Sequence, residues 1–95
     1  MINIDIFFEE NDAEYGKFER VENKLHSRPD LCAMLLLAKL FPGEDDIISA
    51  TGHKVVYFGV DCDLLAKIAC EEELLTLRRC GLFYSAEYEC LGTFV

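Results

Sequence analysis

Tryptophan is absent from this chain, proline occurs twice, and the nine basic residues are half as many as the acidic ones. Each shortage excludes something. With 18 acidic residues and a net charge of −9, the surface field repels a nucleic-acid backbone unless a local basic patch overrides it. The nearest candidates for such a patch are the Arg78/Arg79 pair and the group Lys17, Arg20, Lys24 and Arg28, which alternates with Asp12, Glu14, Glu19 and Glu22. A mixture of that kind is a solvated face, so no direct nucleic-acid binding is expected. Long hydrophobic runs are missing too. The longest, Leu31 to Leu40, is interrupted by Lys39 and is about half of what a bilayer requires, and no membrane span is expected.

Site motifs are equally scarce. No cysteine stands in a Cys-x-x-Cys arrangement, and the two histidines, His26 and His53, are far apart, so the zinc pattern is not met. The acids of "GEDD" and "VDCD" lack the alternating twelve-residue spacing, central glycine and closing glutamate of a calcium loop. Gly43, Gly52, Gly59, Gly81 and Gly92 each stand alone, so there is no glycine-rich phosphate loop. Asp61 and Asp63 follow a strand-like segment, where aspartate more often caps a helix than acts as an acid/base pair. Neither a metal, a cofactor nor a catalytic residue is assigned.

Five cysteines are present: Cys32, Cys62, Cys70, Cys80 and Cys90. The count is odd, no secretory leader is recognisable in "MINIDIFFEE", and several lie among Leu, Ala and Ile. They read as reduced thiols packed as small apolar groups in a cytoplasmic protein. Cys80 stands near a helix C-terminus and Cys70 next to three glutamates, settings that oppose a thiolate nucleophile.

What the chain does have is apolar material, at 52% of 95 residues, enough for one core. Ile2, Ile4, Ile6 and Phe8 alternate and predict a first strand. Asn11-x-x-Glu14 has the form of a capping box, and Tyr15, Phe18, Val21 and Leu25 predict a helix from there to about Ser27. Ser27-Arg28-Pro29-Asp30 starts a second helix through Phe41 that is apolar on every side and so has to be covered on every side. Pro42-Gly43 ends it. "IISA" and "KVVYFGV", joined by "TGH", predict a hairpin. A short helix over Asp63 to Ala69 follows, then a helix with Glu71, Glu72 and Glu73 in its first turn, Arg78 and Arg79 in its last, and Gly81 behind it. "LFYS" and "CLGTFV" predict a final hairpin. The expectation is one α+β domain over residues 1–95, a small, mostly antiparallel sheet packed on helices in the order β-α-α-β-β-α-α-β-β.

The stretches "FPGEDDIISA" and "LLTLRRCGLFYSAEYECLGTFV" resemble small proteins of phage and prophage origin. The resemblance covers roughly the C-terminal two-thirds and carries no catalytic motif. It implies a host-takeover or anti-defence role, as in anti-CRISPR inhibitors. Residues 44 to 73 hold eight acids, Glu44, Asp45, Asp46, Asp61, Asp63, Glu71, Glu72 and Glu73, against Lys54 and Lys67. Gathered along one edge, these acids would bind a host protein with a basic surface. The leading expectation is therefore a non-enzymatic, inhibitory protein-binding module. The alternatives are a homodimeric accessory protein that buries the Leu31 to Phe41 helix, and a small thiol- or metal-dependent enzyme.

Overall fold

The computed structural model describes residues 3–43, 46–52 and 54–94. Its elements are α1 (Ile4–Glu10), α2 (Pro29–Leu40), β1 (Ile48–Gly52), β2 (Val55–Phe58), α3 (Cys62–Ile68), α4 (Glu71–Arg79), β3 (Leu82–Ser85) and β4 (Cys90–Phe94), with single 3-10 turns at Asp12–Glu14 and Phe18–Arg20. The fold is α+β. Its sheet is antiparallel throughout, in the order β1-β2-β4-β3.

Local chemistry explains the second half of the chain as expected. The Asp61 carboxylate accepts from the Asp63 and Leu64 amides at 2.9 and 3.2 Å and starts α3. Glu73 accepts from the Cys70 amide at 2.9 Å and starts α4. Gly81, at φ +96°, turns the chain from α4 into β3. Residues of the inner sheet face, Val56, Phe58, Leu82 and Leu91, meet Leu37, Leu65, Leu74 and Leu77 of the helices in one core.

The N-terminal segment differs from expectation. Of the residues predicted as a first strand, Ile2 lies outside the described residues and Ile4, Ile6 and Phe8 belong to α1, because the Asn3 side chain accepts from the Ile6 amide at 3.2 Å and caps a helix there. Ile4, Phe7 and Phe8 then share a helical face, with Ile4 and Phe8 buried and Ile6 left outside. A short run such as "IDIFF" satisfies both periods, and the cap decides between them. Asn11, expected to start a helix, ends one instead, donating from its side chain to the Phe7 carbonyl at 2.8 Å. The helix expected from there to Ser27 is reduced to the two 3-10 turns, since Gly16 at φ +72° interrupts it. α2 is covered along one side only. Cys32, Ala33, Leu36 and Leu37 are buried, whereas Leu35 is 46% exposed.

Arg78 fastens this irregular segment to the rest. It is only 7% exposed, and its guanidinium carbon lies 5.3 Å from the Phe8 ring centre and 4.8 Å from that of Tyr15. Nη1 donates to the Leu82 carbonyl at 3.0 Å and Nη2 to Asp12 Oδ1 at 2.9 Å, while Nε has no partner among the described residues. Its own carbonyl accepts from the Gly16 and Gly81 amides at 3.3 and 3.0 Å. Beside it Glu14 accepts from Arg20 at 2.9 Å and Arg79 at 3.4 Å, and these two arginines hold its carboxyl below the usual carboxylate range.

Replacing the planar guanidinium with an ammonium, in Arg78→Lys, loses both ring contacts and the forked donation, and a cost of about 2 kcal/mol or more is expected in urea unfolding. Asp12 has an 83% exposed side chain, so Asp12→Asn is expected to cost well under ~1 kcal/mol. Equal losses for the two variants would show that the ion pair, and not the arginine's burial between rings, holds the segment.

Candidate binding face

In an antiparallel sheet, residues opposite one another point to the same side. Ala50 is opposite Tyr57, Tyr57 is opposite Gly92, and Gly92 is opposite Phe83, so these four form one row across the outer face. Gly52, Val55 and Phe94 form the next row. Tyr88 reaches the same face from the turn between β3 and β4, 4.9 Å from Tyr57 centre to centre. Phe83 stacks on Phe94 at 4.9 Å and meets Tyr57 edge-on at 6.5 Å.

Gly92 makes the row possible. A β-carbon there would lie 3.0 Å from Phe83 Cζ, 3.1 Å from the Val56 carbonyl oxygen and 3.2 Å from Tyr57 Cδ1. The two rings therefore close over bare backbone. Phe94 is 62% and Tyr88 58% exposed, in contrast with the inner face, where the helices pack. Between β1, Tyr57, Tyr88 and Glu89 runs a groove of about 670 Å³. Partial burial holds the Tyr57 phenol above its ordinary pKa, and the Tyr88 phenol and the Glu87 carboxylate add to the effect. It is a hydrogen-bond donor at neutral pH.

The acids expected to share one edge fall in different places. Asp61 and Asp63 line a hollow with Cys62, Tyr84 and Glu89. Glu72 and Glu73 line a groove with Asn23, Leu25 and Lys39, with Glu71 exposed beside them in the first turn of α4. Asp46 borders an apolar groove against α2. Glu44 and Asp45 lie outside the described residues. Val60 and Glu89 belong both to the Asp61/Asp63 hollow and to the groove on the sheet, so the acidic and aromatic surfaces are continuous there. Glu87 and Glu89 were not among the sequence candidates. Their signal is the segment "AEYE" between the two strands of the final hairpin. The aromatic row had a signal as well: "VVYF" is apolar at both parities, which in an antiparallel strand means both faces.

All five cysteines are free. Burial, with the Cys32 thiol beside it, pushes Cys80 up to about 12, and burial, with Cys90 and then Asp61 and Asp63, pushes Cys62 to about 11. Both are protonated thiols at neutral pH and weak nucleophiles. Among the described residues no group of three or more His, Cys, Asp and Glu could hold a metal ion, and no helix is long and apolar enough to cross a membrane. Comparison with known protein families, with curated proteins and with solved structures finds no match to this chain.

Two outcomes are expected. Gly92→Ala should displace the Phe83 and Tyr57 rings and cost about 1–3 kcal/mol in thermal or urea unfolding. The thiols set the second. Unfolding returns Cys80 and Cys62 from about 12 and 11 to near the ordinary value of 9. Between those values the unfolded chain has lost protons that the folded one keeps, so their stabilisation is complete below about pH 9 and declines as pH rises to about 12. Urea titrations across that range should show the decline, and a shallower one in Cys80→Ala.

Proposed function

We propose that this chain is a non-enzymatic protein-binding module whose binding surface is the aromatic outer face of the sheet together with the adjoining Asp61/Asp63/Glu89 hollow. The observation that carries the proposal is the aromatic cluster of Tyr57, Phe83, Phe94 and Tyr88 on the outer sheet face, with Phe94 62% and Tyr88 58% exposed. Aromatic side chains that lose little entropy on docking are the usual anchors of a protein interface. Glu87, Glu89, Asp61 and Asp63 at the margin favour a partner segment with arginine or lysine beside apolar residues, and arginine also stacks on tyrosine.

Open four-stranded sheets with exposed aromatics also suit single-stranded nucleic acid, whose bases stack on the rings. Here the margin is acidic and the net charge is −9, which opposes a phosphate backbone. In the phage or prophage setting that the resemblance implies, the partner is a host protein with a basic surface, blocked by occupation of that surface, and the setting is cytoplasmic.

Affinity capture from host-cell lysate at low and at raised salt, with matched variants, tests this. A protein partner held at low salt is expected to bind roughly tenfold or more weakly after Phe94→Ala with Tyr88→Ala, and to lose affinity after reversal of Asp61 and Asp63. Reversal of Glu71 and Glu72, which lie elsewhere, should change little. Retention of the same partner by the aromatic variant, or capture of nucleic acid alone, overturns the proposal.

A further inference from the structure

On the binding face proposed above, the corner between Tyr57 and Tyr88 singles out one kind of side chain. The two rings meet at 63° with their centres 4.9 Å apart. Phe83 closes the side of Tyr57 towards β3, edge-on at 6.5 Å. Towards β1 the neighbours are small: Ala50 is the cross-strand partner of Tyr57, and even a β-carbon at Gly52 would stand 4.0 Å from its ring. Tyr88 is 58% exposed, so aromatic surface faces the groove directly.

Charge completes the corner. Among the described residues Glu89 is the one charged group that lines the groove of about 670 Å³, and Glu87 is near enough to act on the Tyr57 phenol. Both carboxylates are exposed, and neither joins an ion pair among the described residues. The face of an aromatic ring is electronegative, so rings and carboxylate attract the same thing, a cation. This molecule already uses the combination once. The Arg78 guanidinium lies 5.3 and 4.8 Å from the Phe8 and Tyr15 ring centres and donates to Asp12 at 2.9 Å. Two rings and a carboxylate recur at Tyr57, Tyr88 and Glu89, where no lysine or arginine is among the lining residues. A planar guanidinium fits them better than an ammonium does, because it stacks on a ring while its edge donates to a carboxylate, and it is the more weakly hydrated of the two.

We propose that the corner of Tyr57, Tyr88 and Glu89 is an arginine site, in which a guanidinium of the protein partner lies against the tyrosine rings and donates to the Glu89 carboxylate. The assignment rests on the reading of this face as a protein-binding surface and narrows it. Arginine is selected over lysine, although both answer a net charge of −9.

Titration of the full chain at low salt with N-acetyl-arginine N-methylamide and with its lysine counterpart, followed through the NMR signals of Tyr57, Tyr88 and Glu89, tests the site. The arginine probe is expected to give saturable shifts at about millimolar concentration, the strength of one exposed ring contact with one exposed ion pair. The lysine probe should bind roughly threefold or more weakly. Glu89→Gln and Tyr88→Leu, both at exposed positions, should each weaken the arginine probe by about threefold or more without moving the melting curve. Glu72→Gln, which removes the same charge from a different groove, should leave it unchanged. Equal affinity for the two probes, shifts that do not saturate, or an arginine probe indifferent to either Glu89→Gln or Tyr88→Leu overturns the arginine site. Those outcomes leave the captured partner's dependence on Phe94 and Tyr88 as it was, so the binding face and the arginine site fail separately.

Discussion

The burial of one guanidinium organises the first third of this protein. Between Asn11 and Arg28 the chain has no regular helix beyond two short 3-10 turns, and so little backbone hydrogen bonding of its own to hold it. Arg78 substitutes for that missing regularity. Its ring contacts reach Phe8 and Tyr15, its donors reach Asp12 and Leu82, and its carbonyl takes the Gly16 amide. A charge taken out of water is costly unless it is enclosed by partners of this kind. The irregular segment supplies the partners, and the α4–β3 corner supplies the charge. Each half needs the other: the segment's further ties are buried Val21, Phe18 against the core and Arg79's contacts to Glu14 and the Arg20 carbonyl, and the corner would otherwise bury a cation against apolar rings.

The same residue marks where sequence reasoning succeeds and fails. Helices α3 and α4 were legible because their signals are local: an aspartate one position before the helix, a glutamate at the third, arginines in the last turn and a glycine after it. The hairpins were legible from β-branched and aromatic runs between turn residues. Arg78 looked like a surface charge because nothing in "TLRRC" distinguishes the arginine that faces the core from the one beside it. Its burial depends on Phe8 and Tyr15, more than sixty residues away in sequence. The first strand was misjudged for a related reason. Alternation and helical spacing coexist in "INIDIFF", and the deciding contact is a single asparagine cap.

The binding surface shows the same division. Acid was visible in the sequence, but its arrangement was not, since a cluster along the chain says nothing of how elements turn. Asp61 and Asp63 join Glu89, twenty-six residues beyond Asp63, while Glu72 and Glu73 open onto a different groove. The aromatic row depends on register. Tyr57, Gly92 and Phe83 lie in one line only because β4 runs between β2 and β3 with those three residues paired, and a shift by one position would send the rings into the core.

Glu89 carries a cost that its neighbours do not. Its φ is +51°, in the left-handed region where glycine or asparagine sits with less strain. Exchange for glycine would relieve that strain and make the turn into β4 easier to form. The chain instead accepts a less comfortable backbone and keeps a carboxylate where the acidic hollow and the aromatic groove meet. Local folding preference and surface chemistry oppose each other at this position, and the surface chemistry has prevailed.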